Sequence, residues 1–239
     1  ELKDKRLFNC EPQIEAGFGV ALSVAESGAC KSVLVFGVTG NGKSQFPRVL
    51  TRDLYIYHGK NFQLIKVSCD KVPIGKPRTE KLQQDFRILF ESLETIKGLK
   101  ILLFDEVDGI VPHAHSVNPG WRALIYYLRA SLREEPENVL IMGTTNNPIK
   151  MDSTVRREFY LPIYFEPTKR TTVVQMFKES LKRPQWEQIC LRYLDKMSEL
   201  KYRPQGSTVV RVINNFAIKI DNDDSVWSGD IDIDAVSYT

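Results

Sequence analysis

The sequence predicts an α/β fold, a parallel sheet sandwiched by helices and followed by a small all-α domain. Three observations carry this. Short apolar runs of strand length, VLVF at Val33–Phe36, ILLF at Ile101–Phe104 and VLIM at Val139–Met142, are separated by stretches with helical periodicity. Each of these runs ends in residues with chemistry to offer: a glycine loop, a carboxylate pair and an asparagine. Past residue 167 the strand pattern stops and only helical spacing continues. The expected organisation is a large α/β domain over 1–167, a small helical domain over 168–221 and an acidic tail over 222–239.

The first apolar run stops at Gly37, and Gly37 to Ser44 reads GVTGNGKS. That is the G-x-x-x-x-G-K-S spacing of a P-loop. The loop residues Gly37, Val38, Thr39, Gly40, Asn41, Gly42, Lys43, Ser44 and Gln45 are expected to surround a nucleotide's phosphates. Backbone N–H groups and the positive end of the following helix favour an anion there. Lys43 reaches the outer phosphates, and the Ser44 hydroxyl is a ligand for Mg²⁺.

The remaining elements follow in order. Residues 1–31 are mixed, with a short helix expected at Ala21–Ala25. A P-loop helix is expected over Gln45–Asp53, with Pro47 tolerated in its first turn. A turn at His58–Asn61 leads to a strand at Phe62–Val67. After the loop Asp70–Thr79, residues Glu80–Ile96 place Leu82, Phe86, Leu89, Phe90 and Leu93 on one helical face.

The strand Lys100–Phe104 delivers Asp105-Glu106 to the C-terminal edge of the sheet, where ligands of α/β sheets bind. Asp105 would support Mg²⁺, usually through water, and Glu106 would polarise the water that attacks the γ-phosphate. His113 and His115, in the loop Gly109–Gly120, lack a third ligand nearby and read as surface residues. Trp121–Arg133 is a helix whose aromatics Trp121, Tyr126 and Tyr127 are expected in the core. The strand Asn138–Met142 leads to Asn146, placed to hydrogen-bond the attacking water or the γ-phosphate. Met151–Phe159 contains a short helix capped by Asp152 or Ser153 and carries Arg156 and Arg157. Arginine suits transition-state phosphoryl charge, and a pair here can act on a neighbouring subunit. Tyr160–Phe165 is the last strand, and helices follow at Lys169–Leu181, Pro184–Leu200 and Ser207–Ile220.

The totals restrict the partners. Of 239 residues, 33 are basic and 30 acidic, giving a formal net charge of +3, too balanced to argue for nucleic acid. Four scattered cysteines, Cys10, Cys30, Cys69 and Cys190, form no metal-like cluster and suit a cytoplasmic or nuclear compartment. No run is long and apolar enough for a membrane span. The start at Glu1 without methionine reads as an excised domain with flanking modules elsewhere.

The succession of P-loop, DE-terminated strand, Asn-terminated strand, arginine pair and small helical domain resembles the AAA ATPases. It is most similar to the meiotic clade of katanin, spastin, fidgetin and the ATPase that disassembles ESCRT filaments. The segment GTTNNPIKMDSTVRREF, Gly143–Phe159, follows that clade's G-A-T-N-x-P-x-x-L-D-x-A-x-x-R-R-F pattern. The resemblance covers about Ser32 to Ile220. It implies Walker A at Lys43 and Ser44, Walker B at Asp105 and Glu106, sensor 1 at Asn146, and arginine fingers at Arg156 and Arg157. It further implies ATP and Mg²⁺, self-association into a ring, usually a hexamer, and a polypeptide substrate. Val72–Lys76 occupies the position of the pore loop, with Ile74 in place of the family's aromatic. Gly206-Ser207 falls on the second sensor.

Two other readings stay open at this point. One is an AAA+ ATPase acting on nucleic acid, of initiator or clamp-loader type, for which Arg211 is the candidate sensor-2 arginine. The other is a nucleotide-binding scaffold that does not hydrolyse, against which Glu106, Asn146 and Arg156 argue.

Overall fold

The computed structural model describes residues 7, 10–69, 76–111, 119–133, 136–181, 186–199, 201, 203 and 205–222, without the side chains of 76–80, 119–121, 123–124 and 215–222. By its contacts the chain separates into two units. One holds Cys10–Gly37 and Lys43–Phe165; the other holds Glu166 onward together with Val38–Gly42 of the glycine loop. A contiguous division at residue 167 does not express this transfer of the loop apex. The 222–239 tail lies, beyond Asn222, outside the described residues, as do His113, His115 and Val72–Gly75 of the expected pore loop.

The first unit is built on five parallel strands in the order β2-β3-β4-β1-β5. They are β1 (Lys31–Gly37), β2 (Phe62–Ser68), β3 (Leu99–Asp105), β4 (Val139–Thr145) and β5 (Leu161–Phe165). β3, β4 and β1 are central and almost wholly buried, which is why they read as unbroken apolar runs. Alternate residues serve opposite faces. Leu34, Leu102, Phe104, Val139 and Ile141 join a core with Phe86, Phe90 and Leu93 of α3 (Lys76–Thr95). Ile125 and Leu128 of α4 (Pro119–Arg133) and Val155 of α5 (Ser153–Glu158) complete that layer. Val33, Val35, Ile101, Leu103, Leu140 and Met142 are buried on the other face. There α1 (Glu11–Ser27) contacts β1, β4 and β5, and α2 (Phe46–His58) contacts β2. Gly17 lets α1 approach α2, since a Cβ at that position would stand 2.7 Å from the Phe46 ring.

Several boundaries differ from expectation. α1 spans 17 residues rather than a short helix at Ala21–Ala25, and Gly28, left-handed at φ 71°, supplies its stop. α2 runs on through Leu54–His58 until Gly59 at φ 62° ends it. The β-prone Tyr55, Ile56 and Tyr57 are therefore helical and exposed. Tyr126 is 64% exposed, so it is not the core residue its aromatic character suggested, whereas Tyr127 packs against the core.

The second unit is a helical layer of α6 (Arg170–Ser180), α7 (Trp186–Glu199) and α8 (Gly206–Asn222). Val173, Phe177, Ile189, Tyr193, Leu194, Val209 and Val212 fill its centre. Leu191 and Val210, apolar in the sequence pattern, lie exposed. Phe177 is fully buried and stacks 5.7 Å from the Tyr193 ring. Phe177→Ala is expected to destabilise this unit by about 3–5 kcal/mol, read as an earlier transition in chemical denaturation followed by circular dichroism.

Candidate functional site

Parallel register brings the strand ends to one edge. Phe36 of β1 lies opposite Thr145, and Phe104 of β3 lies opposite Gly143 of β4. The residue after Phe104 is therefore beside Thr144. Asp105 Oδ1 accepts hydrogen bonds from the Thr144 hydroxyl at 2.5 Å and the Ser44 hydroxyl at 2.8 Å. Its Oδ2 accepts from the Lys66 ammonium at 2.6 Å. Burial pushes the Asp105 carboxyl up, but the hydrogen bonds from Lys66, Thr144 and Ser44 outweigh it and hold it below the ordinary carboxylate range.

Lys43 is buried, with 6% of its surface exposed. Desolvation lowers its pKa, opposed by the charges of Glu106, Asp105 and Asp108. Glu106 stands exposed just past β3, in the left-handed region at φ 59°, ψ 50°. A non-glycine residue gives up about 1 kcal/mol or more to sit there. Its N–H donates to the Thr144 hydroxyl at 3.0 Å, which fixes the turn that presents the carboxylate to solvent. Thr144 thus links Asp105 and Glu106 through one hydroxyl, accepting from one and donating to the other.

Asn146 is exposed one residue beyond β4. The turn-forming role belongs to Asn147 instead, whose Oδ1 accepts from the Ile149 N–H at 3.2 Å at the start of the 3₁₀ turn Pro148–Lys150. Asp152 caps α5 through the N–H groups of Thr154 and Val155. On that helix Arg156 is half-buried and donates to the Pro148 carbonyl at 3.0 Å, while Arg157 is exposed.

The glycine loop has the backbone its sequence requires. Gly37, Gly40 and Gly42 have φ of 149°, 80° and 91°. A Cβ on Gly37 would run into the Phe165 carbonyl. Within the second unit, the Gly40 carbonyl accepts the Ser207 N–H at 2.9 Å. The Asn41 amide donates to the Glu166 carbonyl at 2.5 Å, and its Oδ1 accepts from the Thr168 hydroxyl at 3.1 Å. Val38 and Thr39 are exposed, and Gln45 precedes the first turn of α2. These are conformations in which glycine is comfortable, and Lys43 and Ser44, just before α2, lie at a helix N-terminus that suits phosphate.

The donor set also fits Mg²⁺. It offers hard oxygens, a hydroxyl and a carboxylate, and the Ser44 hydroxyl keeps lone pairs for a cation while it donates its proton in a hydrogen bond to Asp105. Among the described residues no cluster of three or more His, Cys, Asp or Glu forms a separate metal site.

Two members of the cluster, Lys66 and Thr144, have no signature in the sequence. Their roles come from register. Ser68 pairs with Asp105 and Lys66 with Leu103, so Lys66 lies one step back on the same sheet face as Asp105.

The family profile of the AAA ATPases, described as the ATPase family associated with various cellular activities, matches residues 33–167. Over 177 residues the chain is 27% identical to the ATPase histone chaperone abo1 of Schizosaccharomyces pombe, covering 70% of this chain and 14% of that protein. It is 28% identical over 153 residues to Fidgetin-like protein 1 of Caenorhabditis elegans, covering 61% of this chain and 24% of that protein. The chain therefore spans a quarter or less of these two relatives. In structure it resembles the FIGL-1 AAA domain crystallised with ADP, with a TM-score of 0.66 at 18% identity over 94% of this chain and 76% of that one. A chain of the Escherichia coli MS115-1 HORMA:CdnC:Trip13 complex is similar in fold at the same TM-score, 12% identical over 87% of this chain and 88% of that one. No described helix is long and apolar enough to cross a membrane. With its profile match extending over more than half of its length, the chain belongs to the AAA ATPase family.

Proposed function

We propose that this AAA domain hydrolyses ATP as one subunit of a ring, a hexamer as is usual in the family, and uses the cycle to remodel protein assemblies.

 The observation that carries the reading is the convergence of Lys43, Ser44, Asp105, Glu106 and Thr144 on one edge of the sheet. Lys43 would bind and neutralise the outer phosphates. Glu106, exposed and oriented by its left-handed turn, would accept a proton from the attacking water, with Asn146 orienting that water. Ser44 and Asp105 would hold Mg²⁺, which would supply neutralisation of the phosphate charge.

Arg157 is exposed on α5, and Arg156 beside it is anchored to the Pro148 carbonyl, a rigid mount for a residue that completes another subunit's site. One of the proteins similar in sequence is named a histone chaperone, which favours a protein substrate. The near-balanced charge gives no comparable support to action on nucleic acid.

The test is complementation between two inactive chains. Glu106→Gln lacks the base but keeps the arginines; Arg157→Ala, or Arg156→Ala, lacks an arginine but keeps the base. Each alone is expected to turn over little ATP, and a mixture is expected to regain turnover, because a Glu106→Gln subunit can complete its neighbour's site. A mixture as inactive as its parts would remove the arginines from a role in trans.

A further inference from the structure

We propose that Lys66 is a positioning residue that competes with the divalent cation for Asp105, so that this domain binds nucleotide without metal unusually well and holds the metal weakly. The proposal rests on the reading of this edge as an ATP and Mg²⁺ site. Its basis is how the Asp105 carboxylate is shared out. A carboxylate has about four acceptor positions. Two hydroxyls, from Ser44 and Thr144, occupy Oδ1, and the Lys66 ammonium sits on Oδ2 at 2.6 Å. The Ser44 contact is compatible with a bound cation, since the hydroxyl oxygen keeps its lone pairs. The Lys66 contact is not neutral in the same way: an ammonium placed on the one carboxylate oxygen left by the hydroxyls repels a dication and competes with its water shell.

The same charge acts oppositely on the bare nucleotide. Without metal, the negative charges of Asp105 and Glu106, both felt by Lys43, would oppose the approaching phosphates. Lys66 cancels one of these from 2.6 Å away, adding to Lys43, which senses Asp105, Glu106 and Asp108. Lys66 is held for this by the sheet. It shares a face with Asp105, one step back along β2, and about a third of its side chain remains open to solvent, which leaves it room to swing aside when a cation arrives. Binding coupled in this manner is reciprocal: whatever Lys66 costs the metal, the metal costs the Lys66–Asp105 pair.

The experiment uses the full chain and mant-ADP fluorescence, titrated in EDTA and again in excess MgCl₂, for wild type, Lys66→Met and Lys66→Arg. A Mn²⁺ titration of the ADP complex followed by electron paramagnetic resonance measures the metal directly. In Lys66→Met the ratio of the EDTA to the Mg²⁺ dissociation constant is expected to rise about tenfold, through weaker metal-free binding and tighter metal binding. In Lys66→Arg it is expected to stay close to wild type, because the charge is kept. Should Lys66→Met fail to fold, Lys66→Gln provides the same loss of charge with a polar end. An unchanged ratio in a folded neutral variant overturns the proposal, as does a Lys66→Arg ratio that follows Lys66→Met. If wild type binds mant-ADP under neither condition, the nucleotide reading itself fails, a result plainly different from an unchanged ratio.

Discussion

Glu106→Gln is expected to lower ATP turnover by about 10²–10⁴-fold, the range lost when a positioned general base is removed. Nucleotide affinity should change little, because Glu106 is exposed at the turn after β3 and the substitution keeps its length and shape. The backbone reason for this selectivity is that the turn is held by the Glu106 N–H, which donates to the Thr144 hydroxyl and is indifferent to the side chain. The left-handed φ of 59° is also available to glutamine at a cost similar to that for glutamate. Steady-state phosphate release and mant-ATP binding separate the two effects. Loss of turnover with binding intact is the expected pair; turnover near the wild-type rate would take the general-base role away from Glu106.

Fold and site were legible in the sequence to different depths, for physical reasons. Buried parallel strands announce themselves as apolar runs because both faces are covered, and β1, β3 and β4 are of this kind. The limits of α1 and α2 were less visible. Tyr55, Ile56 and Tyr57 favour a strand locally, but the chain continues as helix until Gly59 can adopt its left-handed turn. Residues in the GVTGNGKS loop and after the ILLF strand were readable because their chemistry is tied to their position along the chain. Lys66 and Thr144 were not, since their meaning depends on which strands are neighbours and in what register. A lysine in the middle of a strand pattern is an ordinary exposed residue until β2 is known to lie beside β3.

The hydrogen bonds that the loop apex makes inside its own unit were hidden in the same way. Gly206-Ser207 read as a helix start, and the structure adds that the Ser207 N–H meets the Gly40 carbonyl. Asn41 stands in the loop like any polar residue, yet its amide is used twice, on Glu166 and Thr168. Contacts of this type between distant segments leave no periodicity to read.

Asp105→Ala is expected to have the largest effect on stability among the site variants, about 2–4 kcal/mol, together with loss of turnover. The cost arises from what the carboxylate leaves behind. Thr144 is 1% exposed, so its hydroxyl loses an acceptor where water does not reach easily. Ser44 and Lys66 are more open and can turn to solvent, which discounts their share. Asp105→Asn keeps the shape and one acceptor oxygen and should cost less than Asp105→Ala, with turnover still lost. The sign of the pH dependence follows from the depressed pKa of Asp105. Its ionised form is favoured by folding, so the stabilisation is complete above the unfolded carboxylate value of about 4 and is lost as pH falls through the lower folded value. Denaturation of wild type and Asp105→Asn between neutral and acid pH measures this. The stability difference between them should narrow below about pH 4. A difference that stays constant across that range would mean that the Asp105 charge, held by Lys66, Thr144 and Ser44, contributes nothing to the folded state beyond its shape.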